Sequence, residues 1–382
     1  MVAKRRKRQM ELAFDRGSRG EAPRADDEGT EATMAKSRTE SSASTAELME
    51  EVCERENMKA AIRRVEGNRG GPGVDGMTVE ELREHLKDSW PEIREGLLSG
   101  TYKPQPVKRV EIAKPGGGVR KLGVPTVKDR LIQQAVLQVL QPIWDQTFSE
   151  YSFGFRPGRS AHDAVAQAQE YVAEGCRWVV DIDLEKFFDR VNHDMLMGRV
   201  AKRVEDKRLL RLIRSFLNAG VMANGLVSPT EEGTPQGGPL SPLLSNLVLD
   251  DLDRELEKRG HRFARYADDC NIYVKSERAG HRVMESVSRY ITKKLKLKVN
   301  REKSKVRRVQ QGQFLGFGFI LGKNGTVKRK IAPHAIKRMK QRVRELTRRS
   351  KGKSLEQIIE VLARYLIGWR GYFGFCETHS VL

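Results

Sequence analysis

Long apolar runs are missing from this chain of 382 residues. Nowhere do about 18 apolar residues follow one another, the length a helix needs to cross a bilayer, and no basic amphipathic anchor stands out. No membrane partner is expected. Cysteine is scarce as well. Cys53, Cys176, Cys270 and Cys376 are far apart and lack the paired spacing of zinc ligands, so neither a disulfide framework nor a cysteine zinc site is indicated. Acidic residues are outnumbered, 51 Asp and Glu against 71 Lys and Arg, for a net charge of +20. An excess of that sign points to an extended polyanion, with nucleic acid the leading class. The basic start, Met1 to Arg8, leads into no apolar stretch and is not a secretory signal, so the cytoplasm is the expected compartment. Large apolar residues are few over residues 1–45, a stretch rich in Ser, Thr, Glu and Arg that is expected to form a disordered polar tail. No internal repeat is visible.

What remains is long enough for two or three domains. Leu48, Val52, Met58, Ala61 and Ile62 recur at helical spacing over 45–65, and the Gly-rich stretch 67–76 ends the pattern. A helix over 78–98 follows, with Thr78 as its cap. Residues 107–112 and 119–124 alternate like the two arms of a hairpin. Lys114 and Arg120 flank its tip, where they could hold a triphosphate by charge and bidentate hydrogen bonds, or simply make a solvated cationic hairpin. Residues 129–140 read as a buried helix. The loop after it, 153–160, carries Arg156 and Arg159, with Ser160 as N-cap of another helix. It suits a phosphate backbone and equally a structural turn.

Carboxylates appear in two places. In the strand Arg177-Trp178-Val179-Val180-Asp181-Ile182-Asp183-Leu184 a period of two sets Asp181 and Asp183 on the face opposite Val180, Ile182 and Leu184. A carboxylate in so apolar a strand is costly unless paired or metal-bound. About eighty residues on, Asp268 and Asp269 sit between two short strand-like runs. Adjacent carboxylates at a hairpin tip repel each other and titrate as a pair, so this is either a solvated turn or a place for a divalent cation. Between the two lies a breaker-rich loop, 233–242. Its Gly237 and Gly238 permit close approach to a flat partner such as a base pair, or serve the loop's own dihedrals. His193, at a helix start, reads as an acid/base or, more simply, as a hydrogen-bonded structural residue. Phe314-Leu315-Gly316-Phe317-Gly318-Phe319 alternates aromatics with glycine. Residues 323–353 then hold thirteen Lys or Arg against the single Glu345, including a helix over 333–349 with apolar residues on one face and cations on the others. A last apolar-faced helix spans 354–375.

Three acids converging from two strands could hold two magnesium ions about 3.5 to 4 Å apart, which is the chemistry of nucleotidyl transfer. Positioning and charge neutralisation carry that reaction, so no nucleophilic Ser or Cys is required. Taken together, Gly73-Val74-Asp75-Gly76, Leu122-Gly123-Val124-Pro125, Ser152-Phe153-Gly154-Phe155-Arg156-Pro157, Asp183-Leu184-Glu185-Lys186-Phe187-Phe188-Asp189, Thr234-Pro235-Gln236-Gly237-Gly238, Tyr266-Ala267-Asp268-Asp269 and Phe314-Leu315-Gly316-Phe317 follow one another as in a known family. From about residue 45 to 375 the chain resembles the bacterial group II intron reverse transcriptases, also called intron-encoded maturases.

The resemblance implies an α+β right-hand polymerase. Fingers and a ferredoxin-like palm would occupy 46–322, and a basic helical thumb that begins a maturase domain would occupy 323–382. It makes Asp183, Asp268 and Asp269 the catalytic, magnesium-binding acids, Asp183 rather than Asp181 because the family's motif places that Asp five residues before its second Phe, here Phe188. Lys114 and Arg120 would grip the incoming dNTP, Phe188 would exclude a ribose 2′-hydroxyl, and Gln236 would line the nucleotide site. Arg156, Arg159, Gly237 and Gly238, with Phe314, Leu315 and Gly316, would meet the DNA primer and the RNA template, a group II intron RNA. Lys303 is the expected general acid for the leaving pyrophosphate, with Lys305 close by as the alternative. Members usually continue into another thumb helix, a DNA-binding segment and sometimes an endonuclease, so the resemblance favours polymerisation over intron mobility here. A non-catalytic RNA-binding splicing cofactor is the alternative reading.

Overall fold

In a computed structural model, residues 45–113, 119–223, 226–228, 232–234, 237–348, 352 and 354–378 are described. Nearly all of the expected tail, Lys114 and Gln236 lie outside them, as does the side chain of Arg120.

Helices α1 (Leu48–Val52), α2 (Arg55–Asn68) and α3 (Leu82–Ser99) open the fold, followed by strands β1 (Val107–Ala113) and β2 (Val119–Val124). Helices α4 (Val127–Asp145) and α5 (Ala161–Ala173) lead to β3 (Trp178–Ile182). Next come α6 (His193–Val200), α7 (Lys207–Asn218), β4 (Val221–Ala223), β5 (Leu226–Ser228) and α8 (Ser241–Lys258). The hairpin β6 (Arg262–Tyr266) and β7 (Asp269–Val274) precedes α9 (Glu277–Lys294) and β8 (Lys305–Arg308). A second hairpin, β9 (Phe317–Leu321) and β10 (Val327–Ile331), and helices α10 (Pro333–Leu346) and α11 (Leu355–Phe373) complete it. Among the described residues no helix is long and apolar enough to cross a membrane.

Several helix starts are fixed by residues visible in the sequence. Ser160 accepts from Asp163 N while the Asp163 carboxylate accepts from Ser160 N, a reciprocal box that satisfies two orphan donors. Thr126 and Asn192 cap α4 and α6 more simply, each side-chain oxygen accepting from one backbone N, of Asp129 and Met195. Two expectations differ. The helix read over 45–65 is broken at Cys53 and Glu54, where Asn57 Nδ2 donates to Val52 O at 3.0 Å. Thr78 caps nothing; it bonds the Glu81 carboxylate, and α3 begins at Leu82.

Two four-stranded sheets carry the architecture, one ordered β2-β1-β4-β5 and the other β6-β7-β3-β8. In the second sheet every neighbouring pair is antiparallel. Its alternation sorts the side chains to two cores. Val180, Ile182, Cys270 and Ile272 join the larger core with α8 and α9. Val179, Ala264, Tyr266 and Tyr273 face a smaller core built with α5, β9 and the end of α11. Both faces are therefore covered, and at the end of the sheet where β3 stops and β6 turns into β7 Asp268 and Asp269 remain half-buried. All four cysteines are free and buried, and burial pushes the Cys53 thiol up to about 11.

Candidate active site

Strand register brings the acids to one end of the sheet. β3 and β7 pair with Asp181 opposite Asn271 and Ile182 opposite Cys270, where the ladder ends, so Asp183 and Asp269 are the next residues beyond its last pair. Tyr266 pairs with Asp269 and closes a two-residue turn made of Ala267 and Asp268, which puts Asp268 next to Asp269 at the same end of the sheet. Asp181, on the same face of β3, is taken by Arg307, whose Nη2 is 3.2 Å from Asp181 Oδ2.

Asp183 is buried, at 7% exposure, and held by a turn the sequence reading did not single out. Asp183 N donates to Ser304 Oγ at 3.0 Å, and Asn300 N donates to Asp183 O at 2.8 Å. Asn300 Oδ1 also accepts from the backbone N of Glu302 and Lys303, an Asx turn that tightens the segment. This brings Lys303 Nζ to 3.9 Å from Asp183 Oδ2 while its side chain stays 58% exposed. Lys305, by contrast, lies opposite Asp181 on β8 and is exposed.

The Asp268 turn rests on the loop before α5. Phe153 N donates to Arg265 O and Arg265 N to Tyr151 O, each at 2.9 Å. Gly154 lies so near that a Cβ there would be 2.3 Å from Ala267 N. Ala267 has a φ of +55°, the left-handed region that hairpin turns usually give to glycine.

Around these acids the remaining expected residues divide. Phe188 is half-buried and lies edge-on to Phe187 at 5.2 Å. Its carbonyl accepts from Thr234 N at 2.6 Å, which joins it to the Gly-rich loop. His193 is structural: its Nε2 donates to Gly233 O at 2.6 Å and pins that loop. Gly238 packs on the Gln133 side chain and Gly237, at φ +132°, on Gly123 O, so the pair's close approach is made to the protein itself. Arg156 is turned inward. It donates to Asp145 Oδ1, Asp145 O, Ser149 O and Ser152 O, which corrects its expected place against a template phosphate. Arg159 remains partly exposed over the Phe153 ring. Phe314 and Leu315 are buried, and Leu315 and Gly316 form a tight turn at φ +51° and +84°. Tyr372 Oη donates to Leu315 O at 2.9 Å, so α11 braces that turn.

Among the described residues no three His, Cys, Asp or Glu side chains already enclose a metal site. The donor set at the sheet end nonetheless has the chemistry of a hard divalent cation site: it is all carboxylate, with Asp183 just past the end of β3 and Asp268 and Asp269 at the turn between β6 and β7.

Comparison with known proteins agrees with this geometry. Residues 112–319 match the family described as reverse transcriptase (RNA-dependent DNA polymerase). Residues 336–382 match the maturase-specific domain of group II introns. The chain belongs to the group II intron reverse transcriptase and maturase family. "Protein YkfC" of Escherichia coli (strain K12) is 35% identical over 289 residues, covering 65% of this chain and 76% of that protein. "Group II intron-encoded protein LtrA" of Lactococcus lactis subsp. cremoris is 31% identical over 322 residues, covering 67% of this chain and 52% of that protein. "Putative COX1/OXI3 intron 2 protein" of Saccharomyces cerevisiae is 33% identical over 231 residues, 59% of this chain and 25% of that protein. The chain thus spans about half of the second relative and about a quarter of the third. Reverse transcriptases as a family copy RNA templates and use divalent metal.

Proposed function

We propose that this chain extends a DNA primer along an RNA template, with dNTPs as substrates and Asp183, Asp268 and Asp269 as the acids for two magnesium ions. The observation that supports this reading is the register that ends β3 at Ile182 opposite Cys270, so that Asp183 leaves the strand at the end of the sheet where the Asp268–Asp269 turn lies. Bound divalent metal would neutralise the triphosphate and make the primer hydroxyl a better nucleophile. The chain's own residues supply the rest. The primer 3′-oxygen gives its proton to water and forms a bond to the α-phosphorus, the bond to the pyrophosphate oxygen breaks, and Lys303, 3.9 Å from Asp183 Oδ2, would protonate that leaving group. Lys114 and Arg120 take the triphosphate, Gln236 lines the base, and Phe188, beside Thr234, crowds a 2′-hydroxyl. The turn Phe314-Leu315-Gly316 supports the primer end through its backbone, since its two large side chains are buried. The compartment that goes with this reading is the cytoplasm, as expected from the sequence.

The maturase-specific match over 336–382 supports a second role on the same partner, binding group II intron RNA to assist its splicing. The primary test is extension of a DNA primer on an RNA template with magnesium and either dNTPs or NTPs. Asp268→Ala is expected to abolish dNTP incorporation while RNA affinity persists. Incorporation that survives that change, or that prefers NTPs, overturns the reading.

A further inference from the structure

Arg265 precedes the turn residues by two positions and is completely buried. A guanidinium offers five N–H donors, and here all five are used. Nε donates to Asp253 Oδ1 at 2.7 Å. Nη2 donates to Asp253 Oδ2 at 2.6 Å and to Ser152 Oγ at 2.6 Å. Nη1 donates to Asn246 Oδ1 at 3.0 Å and to Ala267 O at 2.8 Å. Asp253 is equally buried. Asn246 Nδ2 in turn donates to Gly154 O at 2.9 Å, the residue whose backbone presses on Ala267 N. One cation therefore joins α8, the loop at 152–154 and the turn that carries Asp268.

A buried ion pair is a poor source of stability, because well-packed apolar residues of similar volume do as well or better. The bond that matters here is the one to Ala267 O. A peptide unit is planar, so holding that carbonyl fixes the plane of the Ala267–Asp268 peptide and with it the direction in which Asp268 leaves the chain. Asp269 is secured separately by its pairing with Tyr266. Nothing in that ladder fixes Asp268.

We propose that Arg265, Asp253, Asn246 and Ser152 form a positioning network that sets the Asp268 turn for metal binding, an inference that rests on the polymerase reading above. These residues touch no reacting atom. Their loss acts on metal affinity rather than on affinity for RNA or dNTP. Partners that orient metal ligands in this way typically matter about 10–100-fold in metal affinity.

Arg265→Ala strips a buried Asp253 of its partner and can simply fail to fold, so Asn246→Ala and Ser152→Ala are the informative variants, with Arg265→Lys retaining only the charge. Three readouts are needed: Mn²⁺ binding to the protein alone by electron paramagnetic resonance, amide exchange at residues 267–269, and the magnesium concentration for half-maximal primer extension. For Asn246→Ala the account expects Mn²⁺ binding weaker by about tenfold or more, faster exchange at the turn, and a matching rise in the magnesium requirement. RNA affinity and the KM for dNTP at saturating magnesium stay at their wild-type values. Asn246→Ala and Ser152→Ala proteins that bind Mn²⁺ and exchange like wild type overturn the network. A wild-type protein that extends no primer contradicts the polymerase reading instead, because the Mn²⁺ and exchange results judge the network on their own.

Discussion

Among single residues, Lys303 and Lys305 make the sharpest contrast. Both are exposed lysines two positions apart, and the sequence could only rank them. The structure separates them: the Asx turn at Asn300 brings Lys303 to the Asp183 carboxylate, while Lys305 sits across from Asp181, an acid Arg307 already neutralises. Lys303→Ala is expected to lower the rate of dNTP incorporation by on the order of 10²–10⁴, the usual worth of a general acid, and Lys305→Ala to leave it within about twofold under the same principle; single-turnover primer extension measures both. Equal losses would remove the assignment. The rule that an acid in an apolar strand demands a partner flagged Asp181 and Asp183 alike, and only the resemblance chose between them. The same rule applied to Arg265 would have flagged a buried cation beside the acids. Arg156 was misread for a physical reason: a loop arginine next to glycine has the same sequence signature whether it meets a phosphate or, as here, Asp145 and three backbone carbonyls.

At the scale of elements, the Asp268 hairpin depends on the loop against which it packs. Gly154 has no room for a side chain, whereas Gly71 has nothing within 4 Å of an added Cβ. Gly154→Ala must displace the backbone of Tyr266 and Ala267 and is expected to cost about 1–3 kcal/mol, the usual price of overpacking, together with most of the polymerase activity. Gly71→Ala should leave both near wild type. Thermal unfolding alongside primer extension decides it, and a Gly154→Ala protein that melts and polymerises normally would show that the loop does not set the turn. The β6–β7 hairpin, β3 and the cap at Ser160 were readable from alternation and capping chemistry. The break between α1 and α2 was not, because apolar residues keep helical spacing across it and the interruption is stabilised by a side chain, Asn57, that returns to Val52 O.

For the whole molecule, the order of motifs carried more information than any one of them. Charge balance pointed to nucleic acid, and the sequence of strand acid, Gly-rich loop, acidic turn and basic helices pointed to a polymerase. How the loops fold onto one another was not visible: pairings such as Gly154 on Ala267, His193 on Gly233 and Tyr372 on Leu315 span 40 to 113 residues. The measurement that tests the polymerase reading most directly is single-turnover incorporation of one dNTP on an RNA template, titrated with magnesium, in wild type and in Asp183→Asn. The account predicts saturable, magnesium-dependent incorporation in the wild type and none in the variant, with equal RNA affinity. Incorporation by Asp183→Asn at the wild-type rate and magnesium dependence would contradict it.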